Sequence, residues 1–442
     1  MAHIEPFRGV TYNPEKIDEM KSVMAPPYDV ISADMQEALY HRHPNNIVRL
    51  ILGKNYPDDA PGNDRYTRAA KDFKGWRAEK VLTRDEVPSI YYYVQSFTLS
   101  TGEKKTRKGF IARARLEEFG EGSIHPHEKT LSGPKADRLK LTEACEANFS
   151  CIFSLYSQPD LRINSLIGDA ITDSPYIDIV DDEGVTHIVW RISDPDLIGE
   201  IAKDLADKPL FIADGHHRYE TALNYRRLAR ERSGQWSGDE PENYVMMYFS
   251  NMDDEGMTVL PIHRVVHNLP DFDGENFLKA CEPFFDIEKT EFEEAVEKRA
   301  RKEFLAGLKK TGKRYSYGLA LNGVNAYYIL TLKEQGIIER ELGDILDPVF
   351  QELDVSILHS LILHRILGID SKAQEAQTNL IYKKDPNAAL ELVKDGAQIA
   401  LFLNATKIEQ VKAVSEAGLT MPQKSTFFYP KLLSGLTINP FK

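Results

Sequence analysis

Cysteine is scarce in this chain: three in 442 residues, Cys145, Cys151 and Cys281, an odd count with no CxxC spacing. That suggests neither a disulfide framework nor a thiolate zinc site, and it fits a reducing compartment. Basic charge is short as well, with 55 Lys and Arg against 68 Asp and Glu, a net charge of -13. A polyanion-binding surface normally shows a basic stripe that releases counterions, so neither DNA nor RNA is expected as partner. Long apolar runs are missing. The most apolar stretch, "VSILHSLILHRILGI", falls short of the ~20 residues of a membrane span and is interrupted by histidine and arginine. The opening "MAHIEPFRGVTYNPEK" has no charged segment followed by an apolar one, so it does not read as a signal peptide. A cytoplasmic protein without a membrane partner is the simplest expectation. No internal repeat or low-complexity linker is present.

What the chain does have is the composition of a globular protein, 42% hydrophobic and 28% charged, and a length that implies two or three domains. Strand-like and helix-like segments alternate, which is the grammar of an α/β (α+β) fold. "NPEKIDEM" offers a cap, a first-turn proline and acids, and predicts a helix. "NNIVRLILG" reads as a strand, and "SIYYYVQSFTL" and "TRKGFIARARL" as an antiparallel pair around the turn "STGEKK". A central block follows: the strand "THIVWRI", the helix "DPDLIGEIAKDLADK", the strand "PLFIAD" and the helix "HHRYETALNYRRLARER". "ENYVMMYFSNM" and "TVLPIHRVV" read as two strands joined by "DDEG". The last third begins with helices and adds the strand pair "YSYGLALNG" and "AYYILTLK", the helix "VSILHSLILHRILG", and strands at "AQTNLIYKK" and "AQIALFLN". These shifts suggest three regions, 1–120, 121–266 and 267–442.

Most of the chemistry sits in "FIADGHHRYETAL", where a strand gives way to a helix. A helix N-terminus presents free N–H groups and a partial positive charge, and glycine lets an anion approach them. Gly215 then gives access, Arg218 a forked pair of donors, and His216 and His217 further donors or a proton relay. Asp214 repels phosphate unless it caps the helix or holds a bridging Mg²⁺. The bland alternative is turn chemistry alone, with Asp214 as the cap.

A second polar cluster is "HPHEKTLSGPK". Here Glu128 is a candidate general base, with Lys135 and Arg138 as neutralising neighbours. His125 and His127 with His216 or His217 make a possible metal set, although HExxH spacing is absent and no third ligand is fixed. The alternative is a solvated loop. "MAPPYDVIS" holds Tyr28 and Asp29 behind two prolines, which suits a site or a packed crossing equally. "MPQKSTFFYPKLLSGL" offers Lys424, Ser425, Thr426 and Lys431 among aromatics, either to grip an anion or to dock on the core with its lysines in solvent.

Taken in order, "MAPPYDVIS", "HPHEKT", "ADGHHRYETAL" and "MPQKSTFFYPKLLSGL" resemble the domain of unknown function 1015 family over nearly the whole chain. The central block also resembles the ParB/sulfiredoxin-like fold, in which a Gly-x-x-Arg turn holds nucleotide phosphates; here that turn is Gly215 to Arg218. Sulfiredoxin chemistry needs a cysteine where this chain has His216, and the partition role of ParB needs basic DNA-binding helices. The turn is similar to the Asp-Gly-His-x-Arg of free serine kinase, which Asp214, Gly215, His216 and Arg218 match. Glu128 corresponds by order along the chain to that family's catalytic glutamate.

The resemblance implies a phosphotransferase that phosphorylates the hydroxyl of a small metabolite, L-serine above all, from ATP, ADP or pyrophosphate with Mg²⁺. Catalysis then falls to Glu128, Asp214 and His216, and phosphate binding to Gly215, His216, His217 and Arg218. Substrate contacts fall to His125, His127, Lys424 and Ser425, and the metal to Asp214. Two rivals remain: a nucleotide-binding or nucleotide-hydrolysing switch, and a histidine-metal hydrolase.

Overall fold

The computed structural model describes residues 2–128, 130, 132–311, 315–422 and 424–442, with the side chain of Ser132 left aside. Lys129 and Gln423, within two of the motifs, lie outside the described residues. The fold is mixed α/β. The chain parts into two compact units: the first comprises 1–126, 130–258 and 428–442, the second 127–129 and 259–427. This differs from the three regions expected, because the first two regions share one sheet and a C-terminal segment returns to it.

Among the described residues, the sheet of the first unit has nine strands. Its path runs Ile124–His125, Leu210–Asp214, Ile152–Tyr156, Tyr244–Asn251, Lys104–Arg115, Ile90–Thr98, Thr186–Ile192 and Ile177–Val180. Ile4–Glu5 pairs beside Lys104–Arg115. Most neighbours are antiparallel, including the hairpin expected at "STGEKK"; the parallel pairs are Tyr244–Asn251 with Ile152–Tyr156 and Leu210–Asp214 with Ile124–His125.

Alternation decides which face each side chain takes. Ile90, Tyr92 and Val94, then Phe110, Ala112 and Ala114, then Val245, Met247 and Phe249 all enter one core, which Ile198, Ile201 and Leu205 of helix Pro195–Leu205 cover. Tyr219 and Leu223 of helix His216–Ser233 join them. The opposite face is buried too, through Tyr93, Phe153 and Tyr248, whose rings meet edge to face.

Three elements depart from the sequence reading. "NPEKIDEM" makes a single turn, because the Asn13 side chain accepts from Glu15 N and the next helical residues are the short 3₁₀ turn Met20–Val23. "NNIVRLILG" is a short helix, Val48–Ile51, whose β-branched residues are buried by tertiary packing that overrides propensity. The strands around "DDEG" do not pair with one another: Tyr244–Asn251 lies in the first sheet, while His263–Val266 lies in the sheet of the second unit.

That second sheet is antiparallel, in the order Phe285–Glu291, Ala326–Leu332, Ser316–Leu321, Ile399–Phe402, His263–Val266, Leu380–Lys383. Helices Glu297–Lys310 and Pro386–Lys394 contribute Phe304, Leu308, Leu390 and Val393 to its core, where the Phe304 ring stacks on Tyr327 at 4.7 Å. The apolar helix expected near 355 starts as α-helix at Asp354–Ile357 and continues as a π-helix over Leu358–Ile366.

Candidate functional site

The strand Leu210–Asp214 does not keep its alternation to the end. Its pairing with Ile152–Tyr156 runs Phe211 with Leu155 and Ile212 with Ser154, then jumps to Asp214 with Phe153. The extra residue is a β-bulge, and it turns Asp214 away from the core face of Ile212 onto the face of Phe211 and Phe153. There both carboxylate oxygens find cations. Arg218 Nη2 donates to Oδ2 at 2.6 Å and Lys431 pairs with Oδ1. Burial pushes this carboxyl up, yet Lys431 and Arg218 outweigh it and hold Asp214 well below the usual carboxylate range.

Lys431 is itself held by a buried arginine. Arg107, fully buried, donates to the carbonyls of Tyr429 and Pro430 and to Gln95 Oε1, while Gln95 Nε2 donates to Lys431 O at 3.0 Å. Its guanidinium lies 4.5 Å from the centre of the Phe153 ring. The segment expected either to grip an anion or to leave its lysines in solvent therefore delivers Lys431 inward to a carboxylate.

Gly215 has φ 94°, the left-handed region, and is itself the N-cap of helix His216–Ser233. Asp214 is thus not the cap. A Cβ at Gly215 would lie 2.9 Å from Arg218 Cζ, so glycine is favoured by the positive φ, and a side chain there would have to displace the Arg218 guanidinium. Arg218 also donates to the Cys151 carbonyl, and His216 is buried while His217 is half-buried.

Beside the turn a narrow cleft of about 50 Å³ is lined by Tyr28, Arg138, Asn148, Ser150 and Arg218. Tyr28 lies under the Arg138 guanidinium at 4.0 Å, and burial with the Asp29 charge pushes its phenol up to about 12. "PPYD" therefore brings Tyr28 to the same unit and the same charges as "DGHHR". Lys135 is drawn instead to Glu220, at 2.6 Å.

"HPHE" is divided between the units, with His125 in the first and His127 and Glu128 in the second. His125 stacks on Phe211 at 5.6 Å as part of the edge strand. His127 is fully buried, with Nε2 2.9 Å from Thr426 Oγ1. Met421 N donates to His127 O at 2.7 Å, and Lys424 N donates to Glu128 Oε1 at 3.1 Å. Ser425 is buried and donates to Pro422 O. This is an ordered cluster rather than a solvated loop.

Beneath it Arg264, 1% exposed, donates to Lys424 O at 3.0 Å and through Nε to His359 Nε2 at 3.2 Å. The other ring nitrogen of His359 lies 2.8 Å from Gln374 Oε1, so the neutral tautomer carries its proton on Nδ1. Burial, with the Arg264 charge, pushes His359 down to about 3, and burial lowers Arg264 to about 10 against the pull of Tyr382 and Glu128.

Within the first unit the structure gathers Asp214, Gly215, His216, His217 and Arg218 on one turn with Tyr28 and Lys431; within the second it gathers His127, Glu128, Lys424 and Ser425. Among the described residues no group of three or more His, Cys, Asp or Glu side chains is placed to hold a metal ion, and no helix is long and apolar enough to cross a membrane. All three cysteines are free and buried. Sequence reasoning missed Arg107, Gln95, Arg264 and His359. Gln95, Arg264 and His359 are polar residues inside apolar stretches, which is the signal that could have marked them, whereas Arg107 sits among Lys104, Lys105, Thr106 and Lys108 and carries no such mark.

The class is then a mixed α/β protein in which a half-buried acid precedes a left-handed glycine at a helix start. The family model described as protein of unknown function (DUF1015) matches residues 4–356, and the chain belongs to that family. No curated protein matches it. Among solved structures, a mutant of free serine kinase in complex with ADP is similar at 10% identity and a TM-score of 0.33, covering 69% of this chain and 84% of that one. A conserved hypothetical protein from Pyrococcus furiosus gives 12%, 0.32, 72% and 91% for the same quantities. SbnI from Staphylococcus aureus, with a C-terminal truncation, gives 10%, 0.31, 71% and 82%.

Proposed function

We infer that the chain is a phosphotransferase acting on the hydroxyl of a small metabolite, with free L-serine first among the acceptors and a nucleotide or pyrophosphate as donor. The observation that carries the reading is the turn at Gly215. Its positive φ and missing Cβ put a residue without a side chain at the N-cap of helix His216–Ser233, where an anion can come close to the backbone beside the Arg218 guanidinium. Phosphate oxygens are the natural guests of such a turn. The motif resemblance to free serine kinase at Asp214, Gly215, His216 and Arg218 supports the same assignment.

In this reading the donor phosphates lie on the N–H groups after Gly215, with Arg218, His216 and His217 supplying further donors. Glu128 takes the proton of the acceptor hydroxyl as its oxygen bonds to phosphorus, and the donor's bridging P–O bond breaks to release the shortened donor. His125, His127, Lys424 and Ser425 are assigned to the acceptor. Mg²⁺ keeps most of its waters and takes oxygens from phosphate, so a single carboxylate is sufficient in kind. Asp214, ionised and engaged by Lys431 and Arg218, would hold it through water. When bound, the ion neutralises charge on the transferring phosphates.

The test is incubation of the protein with L-serine, Mg²⁺ and ATP, ADP or pyrophosphate in parallel, with detection of O-phosphoserine by mass. Glu128→Gln should lower turnover by about 10²- to 10⁴-fold, the usual worth of a positioned base, while leaving donor binding in place. Phosphate release without any phosphorylated acceptor would replace this reading with a nucleotide-hydrolysing switch.

A further inference from the structure

Helix His216–Ser233 carries a second concentration of charge at its far end. Arg230 stands twelve residues beyond Arg218, roughly 18 Å along the helix axis. There Arg226, Arg227 and Arg230, with Arg115 from the strand Lys104–Arg115, surround an open pocket of about 520 Å³ within the first unit. The indole of Trp236 lines it as well. Glu118 is the acid in the lining, and it is already shared: Arg226 Nη2 donates to one of its oxygens at 2.7 Å and Arg227 Nη2 to the other at 2.8 Å. The lining therefore carries four guanidiniums against one carboxylate, in a chain whose net charge is -13.

Cations at a helix C-terminus complement the helix dipole, which accounts for some basic residues in the last turns. It does not account for Arg115, which comes from a strand and is fixed by donation to Gly238 O at 3.1 Å. Nor does it account for Trp236 in the same lining. Arg226 is firmly placed, donating also to Leu116 O at 2.7 Å, whereas Arg227 is 56% exposed and Arg230 is exposed. Among the described residues Arg230 has no acidic partner. Guanidiniums set by backbone carbonyls around a pocket of ligand size, with others left open to solvent, suit a multiply charged anion. An indole in the wall suits a flat ring on the same molecule.

We propose that this pocket, lined by Arg115, Arg226, Arg227, Arg230 and Trp236, binds a small ligand with at least two phosphate groups and a flat base, a nucleoside diphosphate or its triphosphate. The site is distinct from the turn at Gly215 and does not depend on the proposed phosphotransfer. The experiment titrates the full chain with ADP and with inorganic pyrophosphate, following heat and tryptophan fluorescence together.

ADP should quench the fluorescence, and Trp236→Leu should remove that quench and weaken ADP while leaving pyrophosphate binding unchanged. Arg227→Gln combined with Arg230→Gln should weaken both probes in this pocket by about tenfold or more, as expected for lost charge-assisted bonds. Both arginines are exposed, so an unchanged thermal melt is the control for folding. ADP binding and quench that are the same in this double variant as in the wild type would overturn the site. Failure to form phosphoserine would overturn the kinase reading and leave these readouts untouched.

Discussion

Asp214 is the residue on which the first cluster turns, because it neutralises two cations at once inside a largely buried site. Asp214→Asn keeps the shape and removes the charge, leaving Lys431 and Arg218 facing each other, and should cost about 3 kcal/mol or more, read as a fall in Tm. The pH dependence follows from its lowered pKa. The folded value lies below the unfolded one of about 3.9, so the stabilisation is complete above that pH and is lost as pH falls through the folded value. Acid unfolding of the wild type below about pH 4 should be steeper than that of Asp214→Asn. Gly215→Ala meets both a positive φ and the Arg218 guanidinium, and should destabilise by about 1–3 kcal/mol in a denaturant melt. The identities of these residues were legible in "ADGHHR". Their partners were not, because Lys431 is 217 residues away and nothing local links the two.

At the level of elements, regular periodicity read well and exceptions to it did not. The strands "THIVWRI" and "PLFIAD", the hairpin at "STGEKK" and the helices after Asp194 and Gly215 follow from alternation, caps and turn chemistry. The bulge before Asp214 does not, since the extra residue shows only in the register with a neighbouring strand. Lys424 depends in the same way on a distant support, its carbonyl on buried Arg264. Arg264→Leu strands that carbonyl and His359 Nε2, at about 1–3 kcal/mol each, and hydrogen exchange over 424–426 should speed up.

His359 adds a pH signature to this element. Its pKa is near 3 when folded and about 6.5 when unfolded, so its full contribution is present above pH 6.5 and declines as pH falls towards 3. Urea midpoints of the wild type should drop between pH 8 and pH 5, and His359→Gln should flatten that drop.

Across the whole molecule the motifs that stand far apart in sequence sort into two sets. "PPYD", "DGHHR" and the lysine of "YPKLL" meet in the first unit, while "HPHE" from His127 onward meets "MPQKST" in the second. Composition and length suggested more than one domain, but the borders escaped the sequence because each unit is assembled from separated stretches of chain. No linker composition marks a crossing such as 258 to 259, which falls between two ordinary apolar residues and a threonine.

The pairing of Asp214 with Lys431 also has a consequence in time. Synthesis proceeds at about 5–20 residues per second, so the 217 residues between them take roughly 10–40 seconds to emerge. The strand order of the first sheet is complete at Asn251, well before that. For that interval the nascent chain carries Asp214 with Arg218 alone, and the site is sealed only when the segment gripped by Arg107 leaves the ribosome.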